Sequence, residues 1–203
     1  MKKINIILIS VFSMTFILGC NNPKTDNGKD QSQEKQKTTN QQQTTAQISN
    51  QQYFEAALNG DFKTIKEGIE SGIDVNAANQ NGNSALMLAA YNGHSKIVDY
   101  LLQYGANVNK SDANNRTALI YAASGDNPHT VQLLIDAGAN LNHTDKAEHF
   151  TALMFAASEG QTEVVKKLLN AGADKTIKDK DGETALDFAR NNGHTQTAEL
   201  LEE

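Results

Sequence analysis

Apolar residues along this chain follow a helical rhythm that breaks off and restarts every 33 or 34 positions. In one stretch, Leu86, Ala89 and Ala90 fall on one face at helical spacing after Ser84, whose hydroxyl can cap the first turn. Gly93-His94 interrupts that helix. Ile97, Val98, Leu101 and Leu102 then recur as the apolar stripe of a second, amphipathic helix. Gly105 stands just past its end, where the chain can turn left-handed without steric cost. Residues 107–116 are polar and turn-rich, and they predict an extended finger that leads into the next cap. The predicted unit is therefore helix–turn–helix–finger.

The unit recurs. A Ser/Thr-Ala-Leu opening stands at Ser84, Thr117, Thr151 and Thr184, spaced by 33, 34 and 33 residues. Gly72-Ile73-Asp74-Val75-Asn76, Gly105-Ala106-Asn107-Val108-Asn109, Gly138-Ala139-Asn140-Leu141-Asn142 and Gly172-Ala173-Asp174 keep the same phase. A fixed period in this range predicts a solenoid of stacked small units rather than one globular core. Such a stack presents a long surface and no deep enclosed pocket, which favours binding a macromolecule.

Several landmarks together resemble the ankyrin repeat family. Its Thr-Pro-Leu-His opening corresponds to Ser84-Ala85-Leu86-Met87, Thr117-Ala118-Leu119-Ile120, Thr151-Ala152-Leu153-Met154 and Thr184-Ala185-Leu186-Asp187, with alanine in place of proline and the histidine absent. The Gly-His turn is kept as Gly93-His94 and Gly193-His194, and the finger entry as Asp179-Lys180-Asp181-Gly182. The resemblance covers residues 51–203 and implies an all-α solenoid of about five units: 51–83, 84–116, 117–150, 151–183 and 184–203. The first and last serve as caps. The third unit departs at Asp126-Asn127-Pro128, and its finger carries one extra residue between Asn142 and Thr151.

The resemblance also implies a recognition surface made of finger tips and the exposed ends of the first helices. Carried onto this chain, the partner-binding positions are Tyr91, Asn92, Asp112, Asn114, Lys146, Glu148, His149, Phe150, Ser158, Glu159 and Lys180. Rigid aromatic side chains often anchor interfaces, so Tyr91 and Phe150 are the expected anchors. Phe150 is expected to project from its loop, so that its removal spares the fold; packing against the neighbouring finger is the alternative. Tyr121, Phe155 and Phe188, one step after the opening motif, are expected in the core.

Ahead of the repeats, Met1-Lys2-Lys3 is basic, and Ile4 to Leu18 is apolar apart from Asn5, Ser10, Ser13 and Thr15. Fifteen helical residues reach about 22 Å, short of a bilayer core of roughly 30 Å, so residues 1–19 read as a secretory signal rather than a span. Ile17-Leu18-Gly19-Cys20 resembles the bacterial lipobox, in which cleavage precedes the cysteine and its thiol takes a lipid. Cys20 is the single cysteine of the chain, which leaves no disulfide to form within one molecule. Residues 20–49 form the lipidated cysteine and a Gln/Asn/Thr/Lys-rich tether with too few apolar side chains to fold. Residues 50–203 form the repeat domain. These features predict a cell-membrane protein, lipid-anchored on the extracytoplasmic face.

Charge narrows the partner. Residues 50–203 hold 12 Lys and Arg against 21 Asp and Glu, a net −9. A surface of that sign without a basic stripe argues against nucleic acid, whose phosphates supply most of such affinity. It favours a basic protein partner. Little chemistry stands out. His94 and His194 sit where the repeat pattern already has histidine. His143 and His149 flank Asp145 and Glu148 in the enlarged third finger, and residues 143–150 offer the one alternative, an enzyme or metal-dependent binder. Their spacing matches no established metal site. Asp179-Lys180-Asp181-Gly182 fails as a calcium loop, because Ile177 and Phe188 would fall at ligand positions one and twelve. The chain therefore reads as a monomeric, non-catalytic binding protein without cofactor, metal or small-molecule substrate. An inhibitor or immunity-type partner is the specific form this suggests.

Overall fold

The computed structural model describes residues 48–203. The signal-like segment, Cys20 and the tether up to residue 47 lie outside the described residues. Ten helices follow in order: α1 (Asn50–Asn59), α2 (Phe62–Glu70), α3 (Ala85–Tyr91), α4 (Ser95–Gln103), α5 (Ala118–Ser124), α6 (Pro128–Asp136), α7 (Ala152–Ser158), α8 (Thr162–Asn170), α9 (Ala185–Asn191) and α10 (Thr195–Glu202). The odd helices form one row, α1 against α3 against α5 against α7 against α9, and the even helices form a second row behind them. Five helical pairs result, each of the first four followed by a finger.

The helices α3, α5, α7 and α9 have seven residues each, too few to persist alone. Stacking holds them. Ala56-Ala57, Ala89-Ala90, Ala122-Ala123 and Ala156-Ala157 are all buried, and these thin faces let neighbouring helices approach closely. The odd helices also bury larger groups, among them Leu86, Met87, Leu119, Leu153 and Phe188, and the even helices add a stripe of branched aliphatic side chains. Ile97, Val98 and Leu101 are buried in α4, as are Val164, Val165 and Leu168 in α8. Each such side chain contributes about 1.5–3 kcal/mol by leaving water.

Every odd helix starts on a hydroxyl. The Ser84 hydroxyl accepts from the Met87 amide, and that of Thr151 from the Met154 amide at 3.2 Å. At α9 the box is complete: the Thr184 hydroxyl accepts from Asp187 N–H, and the Asp187 carboxylate accepts from Thr184 N–H at 2.8 Å.

One expectation needs correction here. The ordered first unit starts earlier than residue 51, because Ser49 caps α1 in a reciprocal box with Gln52 and Ile48 packs against the core. Both residues were expected in the tether. The break at Asp126 also has a definite form. Asp126 holds φ 51°, standing in for Gly93 at φ 68°. A side chain in that left-handed region costs roughly 1–2 kcal/mol. The next residue, Asn127, donates to the Tyr91 carbonyl at 3.0 Å, much as His94 Nε2 donates to the Leu58 carbonyl at 2.9 Å.

Candidate functional site

One carboxamide or carboxylate organises each finger. Asn79 Oδ1 accepts from the amides of Asn81 and Asn83, both at 3.0 Å. Asp112 Oδ1 accepts from Asn114 and Arg116, both at 2.8 Å. Asp145 Oδ1 accepts from Glu148 at 3.1 Å and Phe150 at 3.0 Å, and Asp179 Oδ1 from Asp181 at 3.0 Å and Glu183 at 2.7 Å. Side-chain caps of this kind replace backbone pairing in tight turns. The second contact lies four residues on in three fingers and five in the third, which is where the extra residue resides. Just before that contact the chain turns left-handed at Gly82, Asn115, His149 and Gly182, with φ of 81°, 60°, 62° and 84°.

Adjacent fingers join through single main-chain bonds. Ala113 N–H donates to the Asn81 carbonyl at 3.2 Å, Lys146 N–H to Asn114 at 2.9 Å, and Lys180 N–H to Glu148 at 3.1 Å. The fingers therefore make a continuous edge facing the odd helices. Between the two, aromatic and charged side chains interlock. Arg116 pairs with the buried Asp145 at 3.2 Å and lies over the Phe155 ring at 5.4 Å. The Tyr121 hydroxyl donates to Asp112 Oδ2 at 2.8 Å. Burial, then that contact with Asp112, pushes the Tyr121 phenol well above its usual range. At α9, the hydrogen bonds from the Thr184 hydroxyl and backbone hold Asp187 below the usual aspartate value of 3.8.

A family model for ankyrin repeats (three copies) matches residues 53–145 and 126–203, in phase with these helical pairs. The chain belongs to the ankyrin repeat family. Comparison with curated proteins finds no match. The all-α repeat architecture is that of an ankyrin stack, and such repeats typically serve as non-catalytic scaffolds for protein–protein interaction.

The partner-binding positions expected from the ankyrin pattern divide into two groups. Some are spent on the fold. Asp112 is 9% exposed and occupied by three donors. The Ser158 hydroxyl is buried and accepts from Asn192 Nδ2 at 3.1 Å, while its carbonyl takes His194 Nε2 at 3.0 Å. Asn92 Nδ2 donates to the Leu58 carbonyl at 2.7 Å. Lys180 Nζ donates to the carbonyls of Lys146, at 3.2 Å, and Ala147. The expectation that Phe150 projects freely is corrected. Its ring is half-buried, 5.3 Å from Phe155 and 4.8 Å from Phe188. The extra finger residue leaves its backbone pinned to Asp145, and the ring turns inward.

The other group stays open. Tyr91 is 39% exposed, resting edge-on against Tyr121 at 6.1 Å. Asn114, Lys146, Glu148, His149 and Glu159 are exposed. His149 carries the left-handed turn of its finger at φ 62°. His143 Nε2 donates to the Asn115 carbonyl at 2.9 Å. Among the described residues no three His, Cys, Asp or Glu side chains converge as metal ligands would.

The expectation of a core position for Tyr121, Phe155 and Phe188 holds only for Phe188, 1% exposed; the other two are half-buried and face the fingers. Asn76 and Asn109, which close the recurring segments 72–76 and 105–109, do more than shape turns. Each spans two repeats: Asn76 Nδ2 donates to the Gly105 carbonyl at 3.2 Å, and its Oδ1 accepts from Asn107 N–H at 2.7 Å. Asn109 repeats both bonds with Gly138 and Asn140. Their recurrence at 33 residues was the available signal.

Proposed function

We propose that this protein is a bacterial lipoprotein, fixed to the cell membrane through an acylated Cys20, whose ankyrin repeats bind another protein outside the cytoplasm. The observation that carries the binding role is the continuous face between fingers and odd helices, where Tyr91, Glu148 and Glu159 remain open while neighbouring side chains are spent on the stack. The anchor rests on the sequence alone, in the basic start, the apolar stretch and Gly19-Cys20. An inhibitor or immunity-type role suits this design, because a rigid surface held at the membrane can occlude another protein's site without chemistry.

The anchor is tested by metabolic labelling with palmitate and by fractionation. The Cys20→Ser variant is expected to lose the label and either stay unprocessed or leave the membrane fraction. Undiminished labelling removes the lipoprotein reading and leaves the repeats as a binding module of other location.

A further inference from the structure

The side chains that face the fingers from the odd helices recur at the repeat spacing as Glu55, Leu88, Tyr121, Phe155 and Phe188. From the third unit onward the column is aromatic, and the space under the fingers is filled from within. Tyr121 reaches Asp112, Arg116 covers Phe155, and Phe150 meets Phe188. The first two units lack the ring. Leu88 stands at the second and Glu55 at the first, while Asn83 replaces the arginine found at 116 one unit later. Among the described residues a groove of about 610 Å³ remains, lined by Phe54, Glu55 and Leu58 of α1, Leu88 of α3, and Gln80 and Asn81 of the first finger. That volume lies within the range of about 300–1,000 Å³ that holds a ligand group.

We propose that this groove docks an arginine presented by a loop of a protein partner, with the aliphatic stem on Leu88 and Phe54 and the guanidinium against Glu55. The assignment rests on reading the finger-side face as a protein-binding surface. Charge selects the occupant. Among the described residues that line the groove, Glu55 is the only ionised one, and residues 50–203 carry a net −9 from 12 basic and 21 acidic residues. An acidic loop would meet like charge, and a purely apolar one would cover a carboxylate held only by the neutral Gln51 Nε2 at 2.9 Å, leaving its charge uncompensated. The molecule already holds an arginine in a related way internally: Arg116 lies between the Phe155 ring and the Asp145 carboxylate. In the groove, Leu88 stands two repeats before Phe155, and the carboxylate comes from Glu55 of α1 rather than from a finger. The Gln80 and Asn81 carboxamides, each able to donate and accept, suit the main chain of an extended loop.

The test selects phage-displayed dodecapeptides against the full chain purified in detergent. Selected sequences are expected to carry arginine beside an aliphatic residue. Affinity should fall at least tenfold on Glu55→Gln, and equally on Leu88→Tyr, which fills the groove with the ring the next unit carries. Unchanged circular dichroism melting confirms that both variants fold. Selected sequences without a basic residue, affinities within twofold for both variants, or an empty selection each overturn the assignment. Peptides that ignore Glu55→Gln but lose tenfold on Tyr91→Ala would reject the groove and keep the finger-side face as the binding surface. Peptides sensitive only to Lys167→Ala on the outer row would reject both.

Discussion

Replacing Phe150 by alanine separates a structural ring from a recognition ring. The ring is half-buried and packs on Phe155 at 5.3 Å and on the buried Phe188 at 4.8 Å. Truncating a fully buried phenylalanine costs about 3–5 kcal/mol, and half burial brings this to roughly 2. Loss of two aromatic contacts, worth about 0.5–1.5 kcal/mol each where geometry is good, overlaps that figure and sets the expected total near 2–3 kcal/mol. For a domain of this size about 2–4 °C of melting temperature accompanies each kcal/mol, so Phe150→Ala should melt about 5–10 °C early. Phe150→Leu should recover more than half of the loss, because it restores most of the apolar volume. Circular dichroism melts and urea titrations of the three proteins provide the measurement. A melting temperature within about 2 °C of the parent would mean that the ring does not hold the third finger to the α7–α9 pair, and the packing argument would fall.

Leu101 is fully buried in α4, so Leu101→Ala should cost about 2–5 kcal/mol, and hydrogen exchange should show faster opening in the neighbouring units as well; an unmoved melt would refute the core assignment. His149 holds φ 62° where two other fingers use glycine, so His149→Gly should stabilise by about 1 kcal/mol despite the added freedom of the unfolded chain, and a destabilised variant would contradict the strain. The lowered value of Asp187 means that its cap contributes fully above 3.8 and is lost as pH falls below that through the lowered folded value. Asp187→Asn should therefore lose less melting temperature than the parent between about pH 4 and about pH 2, and parallel slopes would dismiss the cap as an acid-sensitive element.

The repeat architecture was legible because its determinants are local. Hydroxyl caps, alanine faces and positive-φ glycines stand at fixed spacing, and each is recognisable within a few residues. The first unit was read less well. Its capping Ser49 and core-facing Ile48 sit in a polar context that resembles the tether, and no Thr-Ala-Leu marks the start. Side-chain roles in the fingers were hardest to foresee. Asp112, Ser158 and Lys180 occupy positions exposed in the general pattern, yet each is engaged by a group from another finger or helix. Such contacts pair residues up to 34 positions apart and depend on the register of the stack, which one unit's sequence does not display. The groove at Glu55 and Leu88 was hidden for a related reason. It arises from the absence of a ring that only comparison across all five units reveals.

The central claim, that this ankyrin stack binds a protein through its finger-side face, is tested most directly by site-specific photocrosslinking in living cells. A photoreactive residue is placed at Gln80, Tyr91 or Glu159 on that face, and at Tyr104 or Lys167 on the outer row. The account predicts one discrete crosslinked protein from the first three positions and none from the other two. The same adduct from both rows, or adducts from the outer row alone, would contradict it.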